Sequence, residues 1–351
     1  MNNFQLQIFQ EINKINTGKN IMVSPFSIYH IVSLTTNGAA NKTLSEMLKA
    51  LCHKDKNEMN KDNELVSSAI TKFKSAEIAN AVFTKFKPLE TFMEMVKEYR
   101  AKVDILKDAD QVNSWCSEAT HKKIPQIIDS LSQDDVMVLI NAIYFKGVWQ
   151  KSFDVNKTFD DDFMNFNKEP KKARFMNITD NFDYFDSEEL QAISLNYTED
   201  NMKAFIILPK TESDINIFIQ KLTLDKYYEI VKKLENKKVN LMLPKFEINF
   251  GEELKPCFMS LGMVEAFTNG ADFSAMKKEN DIKIGRIIHK TFINVDEKGT
   301  EAAAATAVVM RKKCIIRNEI MNVNHPFLFI IRSDDLPSGH DILFVSKVES
   351  L

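Results

Sequence analysis

Asp296-Glu-Lys-Gly-Thr-Glu-Ala-Ala-Ala-Ala-Thr-Ala307 is the stretch on which the reading of the whole chain turns. Alanine has the highest helix propensity, so propensity alone reads the run as one or two exposed helical turns. The continuation argues for something else. Val308-Val-Met-Arg-Lys-Lys-Cys-Ile-Ile-Arg317 carries no amphipathic pattern and sets three consecutive cations, Arg311, Lys312 and Lys313, among branched apolar residues. That is the pattern of an exposed loop open to proteases. No proline lies between Thr300 and Lys313, so in extended form every residue there keeps an N–H for a sheet ladder. Thr300, Ala302, Ala304 and Thr306 would then share one face, all small and uncharged, with Glu301 pointing the other way. Such a face can be buried at little desolvation cost.

Outward from this segment, the chain has an ordinary soluble composition. Its 351 residues suggest roughly two domains on length alone, with one large domain also open. Lys+Arg 46 against Asp+Glu 49 leaves a formal charge of −3, so there is no basic field to hold nucleic acid or an anionic membrane. With 44% hydrophobic and 27% charged residues and only nine Gly and nine Pro, the chain can bury a large core. Cys52, Cys116, Cys257 and Cys314 are far apart, with no CxxC pair, and no histidines stand at metal-ligand spacing, which disfavours a disulfide framework or a zinc site. No run reaches the ~20 apolar residues of a membrane span, and the start lacks the pattern of a signal peptide. The expectation is a cytosolic protein with free thiols; export by an unconventional route stays open.

Apolar spacing predicts helices over Gln5 to Ile15, Ile28 to Thr36, Thr43 to Leu51 and Asp110 to Thr120, making the N-terminal third mostly helical. Val136 to Tyr144 is short, branched and almost wholly apolar, as a strand buried on both faces would be. Gln191 to Asn196, Lys203 to Leu208, Val239 to Leu243 and Lys245 to Asn249 repeat strand patterns, and helices recur at Ile215 to Leu222, Leu224 to Leu234 and Glu252 to Leu261. Strands and helices mix without strict alternation, so the fold class is α+β.

The Asp296 segment resembles the reactive-loop hinge of the serpins, the suicide inhibitors of serine proteases. Further blocks resemble serpin signatures in the same order: Asn20-Ile-Met-Val-Ser-Pro-Phe-Ser-Ile28, Val112-Asn-Ser-Trp115, Asn141-Ala-Ile-Tyr-Phe-Lys-Gly-Val-Trp149, Leu243-Pro-Lys-Phe246, Leu261-Gly-Met263, His289-Lys-Thr-Phe292 and His325-Pro-Phe-Leu-Phe329. The resemblance runs over essentially the whole chain, and the Met1 start is similar to the intracellular branch of the family. It implies one serpin domain over residues 1–351, with three β-sheets, eight or nine helices and an exposed reactive-centre loop at about 297–322. Ser346 stands where the family usually has glycine, which puts packing at that point in question.

By the same resemblance, Gly299, Thr300, Glu301, Ala302, Ala303, Ala304, Ala305 and Thr306 form the hinge. The scissile bond is expected between Lys313 and Cys314, with Met310, Arg311 and Lys312 as alternative cleavage positions. A trypsin-like protease would receive the Lys313 ammonium in its acidic pocket and end in a covalent acyl complex. Met310 would instead suit a chymotrypsin-like enzyme, and papain-like cysteine proteases also accept basic residues. The competing function class is a non-inhibitory relative that acts as a binding or chaperone-like protein; the small-residue hinge speaks for inhibition. No cofactor, metal, nucleic-acid or membrane partner is expected, and a monomer is.

Other constellations have plainer readings. His289 beside Lys290 could be imagined as a general base, but such a histidine is more often a hydrogen-bonded structural partner. The resemblance agrees, since Ser24, Asn141 and His289 match family positions that form a polar cluster where the large sheet opens. No nucleophile elbow, His-Glu-x-x-His pair or phosphate-binding glycine loop occurs, so no enzyme is expected. Cys314 follows two lysines, yet a loop rarely offers the defined site that a reactive thiol needs. Trp115 and Trp149 read as core aromatics. The basic runs at 168–172 and 232–238 are interrupted by acids and read as solvated faces.

Overall fold

The computed structural model describes residues 3–210, 214–279, 281–300 and 318–351. The chain opens with α1 (Phe4–Ile15), β1 (Ile21–Val23), α2 (Pro25–Asn37), α3 (Asn41–Ala50) and α4 (Lys56–Ile70). Then come β2 (Ala76–Thr84), α5 (Glu90–Glu98), β3 (Lys102–Ile105), α6 (Ala109–Ala119) and β4 (Met137–Phe145). The middle is β5 (Gly147–Val148), β6 (Phe159–Met164), β7 (Pro170–Asp186), β8 (Leu190–Asn196) and β9 (Met202–Pro209). α7 (Ile215–Lys221), α8 (Leu224–Lys232), β10 (Glu235–Pro244), β11 (Phe246–Glu253) and α9 (Lys255–Ser260) follow. The last strands are β12 (Arg286–Asp296), β13 (Gly299–Thr300), β14 (Glu319–Asn322), β15 (Phe327–Ser333) and β16 (Ile342–Val348).

Nine α-helices among the described residues and mixed sheets make this an α+β fold. The ladders form two networks. One runs β1-β16-β15-β9-β8-β7-β10-β14, with β6 on β7, and the other joins β3, β2, β4, β12, β13, β5 and β11. The first network has two limbs because β7 is 17 residues long: residues from Phe175 to Tyr184 pair with β10, whereas Asp183 to Asp186 pair with β8. Divided at that changeover, the ladders give the three sheets implied by the resemblance.

Local chemistry explains the elements that matter for the site. α2 starts because the Ser24 hydroxyl accepts the Ser27 N–H at 3.2 Å and Pro25 supplies a first-turn residue that needs no donor. Twelve of its thirteen residues are buried, and the Thr35 and Thr36 hydroxyls bond back to the Ile31 and Val32 carbonyls of the same helix. α6 starts at the Asp108 cap, with Gln111 reaching back to the Lys107 N–H at 2.9 Å. β4 is buried at every position, with β2 antiparallel on one side and β12 parallel on the other.

One sequence expectation needs correction, and some strands lie where the residues gave no sign of them. The N-terminal third also contains β2 and β3; Ala-Glu-Ile-Ala-Asn-Ala-Val carries helix-favouring residues that strand neighbours override. The helix expected from Glu252 begins only at Lys255, because Glu252 and Glu253 complete the ladder of β11 with β12 and Pro256 fits the helix's first turn. Pro170 and its cations open β7, the longest strand, where Lys172 pairs with Asp162 across to β6 at 2.9 Å.

One core runs from Phe4 to Val348, and a smaller second core lies between α6, residues 124–128 and one face of β2 and β4. Ser346 lies in the main core on β16 between Met22 and Phe329, fully buried, and its Oγ has no hydrogen-bond partner among the described residues. Backbone room thus exists for a side chain at this position, at the cost of an unmet hydroxyl. Ser346→Ala is expected to raise stability by about 1 kcal/mol, seen as a higher thermal midpoint by calorimetry; a lower midpoint would contradict this account.

Candidate functional site

The seam between β4 and β12 organises the site. The two strands run parallel, in register from Val138 opposite Arg286 to Tyr144 opposite Phe292. Each has an antiparallel neighbour on its outer side, β2 for β4 and β11 for β12. A parallel ladder is slightly weaker per residue than an antiparallel one, so the seam is the softer line between those three pairings.

At one end of the seam the chain turns back on itself. After Asp296 the turn Glu297–Lys298 leads into β13, antiparallel to β12, with Thr300 opposite Val295 and Gly299 opposite Asp296. The other edge of β13 pairs with β5, Gly299 opposite Val148 and Thr300 opposite Gly147. Only Lys146 separates β5 from β4. β13 is therefore a two-residue wedge between the line of β4–β5 and the line of β12, at the head of the ladder where those lines meet directly.

Close backbone approach fixes the residue types of the wedge. A Cβ on Gly299 would lie 2.0 Å from the Gly147 carbonyl oxygen, and its φ of +152° is one that side-chain-bearing residues rarely adopt. Gly147 is restricted in turn, with the Tyr197 and Phe145 rings 2.6 and 2.8 Å from any added Cβ. Thr300 is fully buried, and its hydroxyl meets that of Tyr197 at 2.9 Å. Burial pushes the Tyr197 phenol well above its ordinary pKa, so it stays a neutral O–H partner. Tyr197 stacks on Trp149 at 4.5 Å and meets the edge of Phe145 at 5.0 Å.

The turn before the wedge is pinned by the same group. Trp149 donates from Nε1 to the Asp296 carbonyl at 2.9 Å and from its backbone to the Lys298 carbonyl at 3.0 Å. Trp149 thus holds the turn before the wedge besides filling the core. The Glu297 carboxylate is almost buried and accepts from Lys245 Nζ and Thr158 Oγ1, each at 2.8 Å. Burial raises its pKa, but these two donors hold the net value below the usual carboxylate range.

Lower in the seam, Asn141 of β4 lies opposite His289 of β12. His289 Nδ1 donates to Asn141 Oδ1, and Nε2 accepts the Ser24 N–H at 3.1 Å. With both ring nitrogens engaged and the ring fully buried, His289 is a structural partner. The Asn141 amide bonds Ser27 Oγ and Asn80 Oδ1, and Asn80 continues the network to His30 at 3.1 Å and on to Ser67 at 3.0 Å. Burial pushes the pKa of His289 down to about 3 and that of His30 down to about 4.

Of the sequence-assigned hinge residues, Gly299 and Thr300 form the wedge. Glu301, Ala302, Ala303, Ala304, Ala305, Thr306, Met310, Arg311, Lys312, Lys313 and Cys314 lie outside the described residues. The cluster of Ser24, Asn141 and His289 forms as the resemblance implied. Sequence reasoning passed over Asn80 and Tyr197; a lone asparagine within Ala76–Thr84 was a signal for the first, and none existed for the second. Trp115 packs edge-on against Phe83 at 5.8 Å in the second core. No helix among the described residues is long and apolar enough to cross a membrane.

Two expectations follow. Gly299→Ala forces Cβ into the Gly147 backbone and should cost about 1–3 kcal/mol by overpacking, read as a lowered urea midpoint; an unchanged midpoint would rule out the tight wedge. His30 and His289 have folded pKa values below the unfolded 6.5, so the unfolded state binds more protons in that interval. Their contribution is complete above pH 6.5 and is lost as pH falls towards 4 and 3. The urea midpoint should accordingly already decline between pH 7 and pH 5, above the range in which most carboxylates titrate.

Comparison with known proteins agrees with this geometry. The family model "Serpin (serine protease inhibitor)" matches residues 1–351. The chain is 32% identical over 370 residues to a leukocyte elastase inhibitor of Xenopus laevis, covering 99% of this chain and 97% of that protein. It is 31% identical over 351 residues to Serpin B8 of Homo sapiens, covering 94% of this chain and 93% of the other. The crystal structure of the thermophilic serpin tengpin in its native state superposes with a TM-score of 0.91 at 28% identity, covering 99% of this chain and 92% of that one. A full-length family match and relatives above 30% identity show that this chain belongs to the serpin family.

Proposed function

We propose that this serpin inhibits trypsin-like serine proteases as a suicide substrate. The observation that carries the proposal is the wedge: β13 already lies between β12 and the line of β4–β5, running antiparallel to β12. A chain continuing from Thr300 in that direction is aimed down the seam. Separating one parallel ladder to admit it exchanges that ladder for two antiparallel ones. About a dozen new ladder bonds, at a net ~1 kcal/mol each, give a driving force on the order of 10 kcal/mol. While the loop is tethered at both ends, this gain is withheld, so the intact fold is kinetically trapped.

The chemistry that releases it is an acyl transfer. The protease serine oxygen attacks the Lys313 carbonyl carbon, the bond to the Cys314 nitrogen breaks, and that amine leaves with a proton. The ester formed tethers the enzyme to the loop as Thr300, Ala302, Ala304 and Thr306 turn their small faces into the sheet. Arg311, Lys312 and Lys313 direct the choice towards an acidic specificity pocket, which distinguishes this loop from what the name of the leukocyte elastase relative indicates. Free thiols at Cys52, Cys116 and Cys257 support the reducing cytosol as the place of action.

Incubation with trypsin-like, chymotrypsin-like and papain-like enzymes, followed by denaturing gels and mass analysis, tests the proposal. A stable adduct with the trypsin-like enzyme and a released peptide beginning at Cys314 are expected, together with clean cleavage without adduct in Thr300→Arg, which places a charge where burial is needed. Clean cleavage of the unmodified protein would point to the non-inhibitory alternative, and an adduct confined to either other class would overturn the specificity.

A further inference from the structure

Resting on that reading, we infer that Lys123 is a positioning residue for insertion: its ammonium clamps β4 to β12 at the end of the seam that must open first. Tyr144 of β4 and Phe292 of β12 are opposite one another, the last register pair before the wedge. Lys123 Nζ stands 5.9 Å from the Tyr144 ring centroid and 5.7 Å from that of Phe292, within cation–π range of both. One charge therefore bridges the two strands without touching their backbone bonds. Parting β4 from β12 moves the rings apart, and the ammonium can follow only one of them.

The segment carrying Lys123 is held so that this is where the side chain must go. α6 ends at Ala119 with Thr120 as its C-cap, and the chain reverses through two consecutive left-handed residues, His121 (φ +49°) and Lys122 (φ +65°). The reversal is fastened by the Lys122 N–H to the Ser117 carbonyl at 2.7 Å, by the Lys123 N–H to the Thr120 carbonyl at 2.9 Å, and by the Ile124 N–H to Thr120 Oγ1 at 3.1 Å. Beyond it, Ile124, Ile127 and Ile128 are buried against β2 and β4, and Asn113 of α6 accepts the Ile127 and Ile128 N–H groups at 2.8 and 3.0 Å. The segment over the sheet is thus fixed at both ends of a short span, and Lys123 is the position on it whose charge lies over the rings of both strands.

A labelled peptide with the sequence of residues 300–313, annealed to the intact protein, reads opening of the seam without any protease. Lys123→Met keeps most of the side-chain stem and removes the charge; it should take up peptide about tenfold faster, on loss of two cation–π contacts, with a thermal midpoint close to the parent's. Lys123→Arg should restore the parent rate. Phe292→Leu, which removes one ring, should accelerate uptake by a smaller factor and serves if Lys123→Met does not fold. Uptake at the parent rate in Lys123→Met, or in Phe292→Leu where that variant stands in, would overturn the assignment, as would acceleration in Lys123→Arg equal to that in Lys123→Met. Failure of the underlying insertion reading looks different, since no variant and not even the parent would then take up peptide on warming.

Discussion

The parallel ladder between β4 and β12 is the constraint on which the rest of the molecule depends. It joins two strands that each have a stronger antiparallel partner on the far side. A third strand running the opposite way would complete the sheet better than the direct contact does. Gly299 and Thr300 pair in that direction at the head of the contact, between β12 and β5. On the proposed suicide-substrate reading, this soft contact is where the cleaved loop would enter.

Everything around the seam either holds it shut or holds its entrance in shape. Asn141 and His289 tie the two strands to each other and to the start of α2 through side chains that have no water to fall back on. A buried polar network of this kind is costly to half-satisfy, so it holds the two strands together. At the entrance, Trp149 and Tyr197 hold the turn and the wedge by hydrogen bonds that a smaller or apolar residue could not make. Two glycines, Gly147 and Gly299, allow backbones to approach where any side chain would force them apart.

Much of this was legible from residue order. Ser24-Pro25 marks the cap of α2, and Val136 to Tyr144 reads as a central strand. β2 and β3 were not legible, because their alanines, lysine and acids carry no strand preference that survives without neighbours. β7 was hidden by Pro170 and its cations, which the acidic strand β6 offsets across the ladder. Tyr197 was invisible as a hinge contact because it is 103 positions from Thr300, and nothing local distinguishes it from any buried tyrosine.

By itself the sequence determined the chemistry available: a proline-free small-residue segment, three cations after it, capped helices, and a polar asparagine and histidine in otherwise apolar strands. Only the tertiary structure decided that β4 and β12 are parallel neighbours, that β13 lies between β12 and the line leaving β4, and that Lys123 stands over a ring from each strand. The reason is physical. Periodicity and capping act between residues a few positions apart, whereas the softness of a seam depends on which distant strands meet, in what direction and in what register.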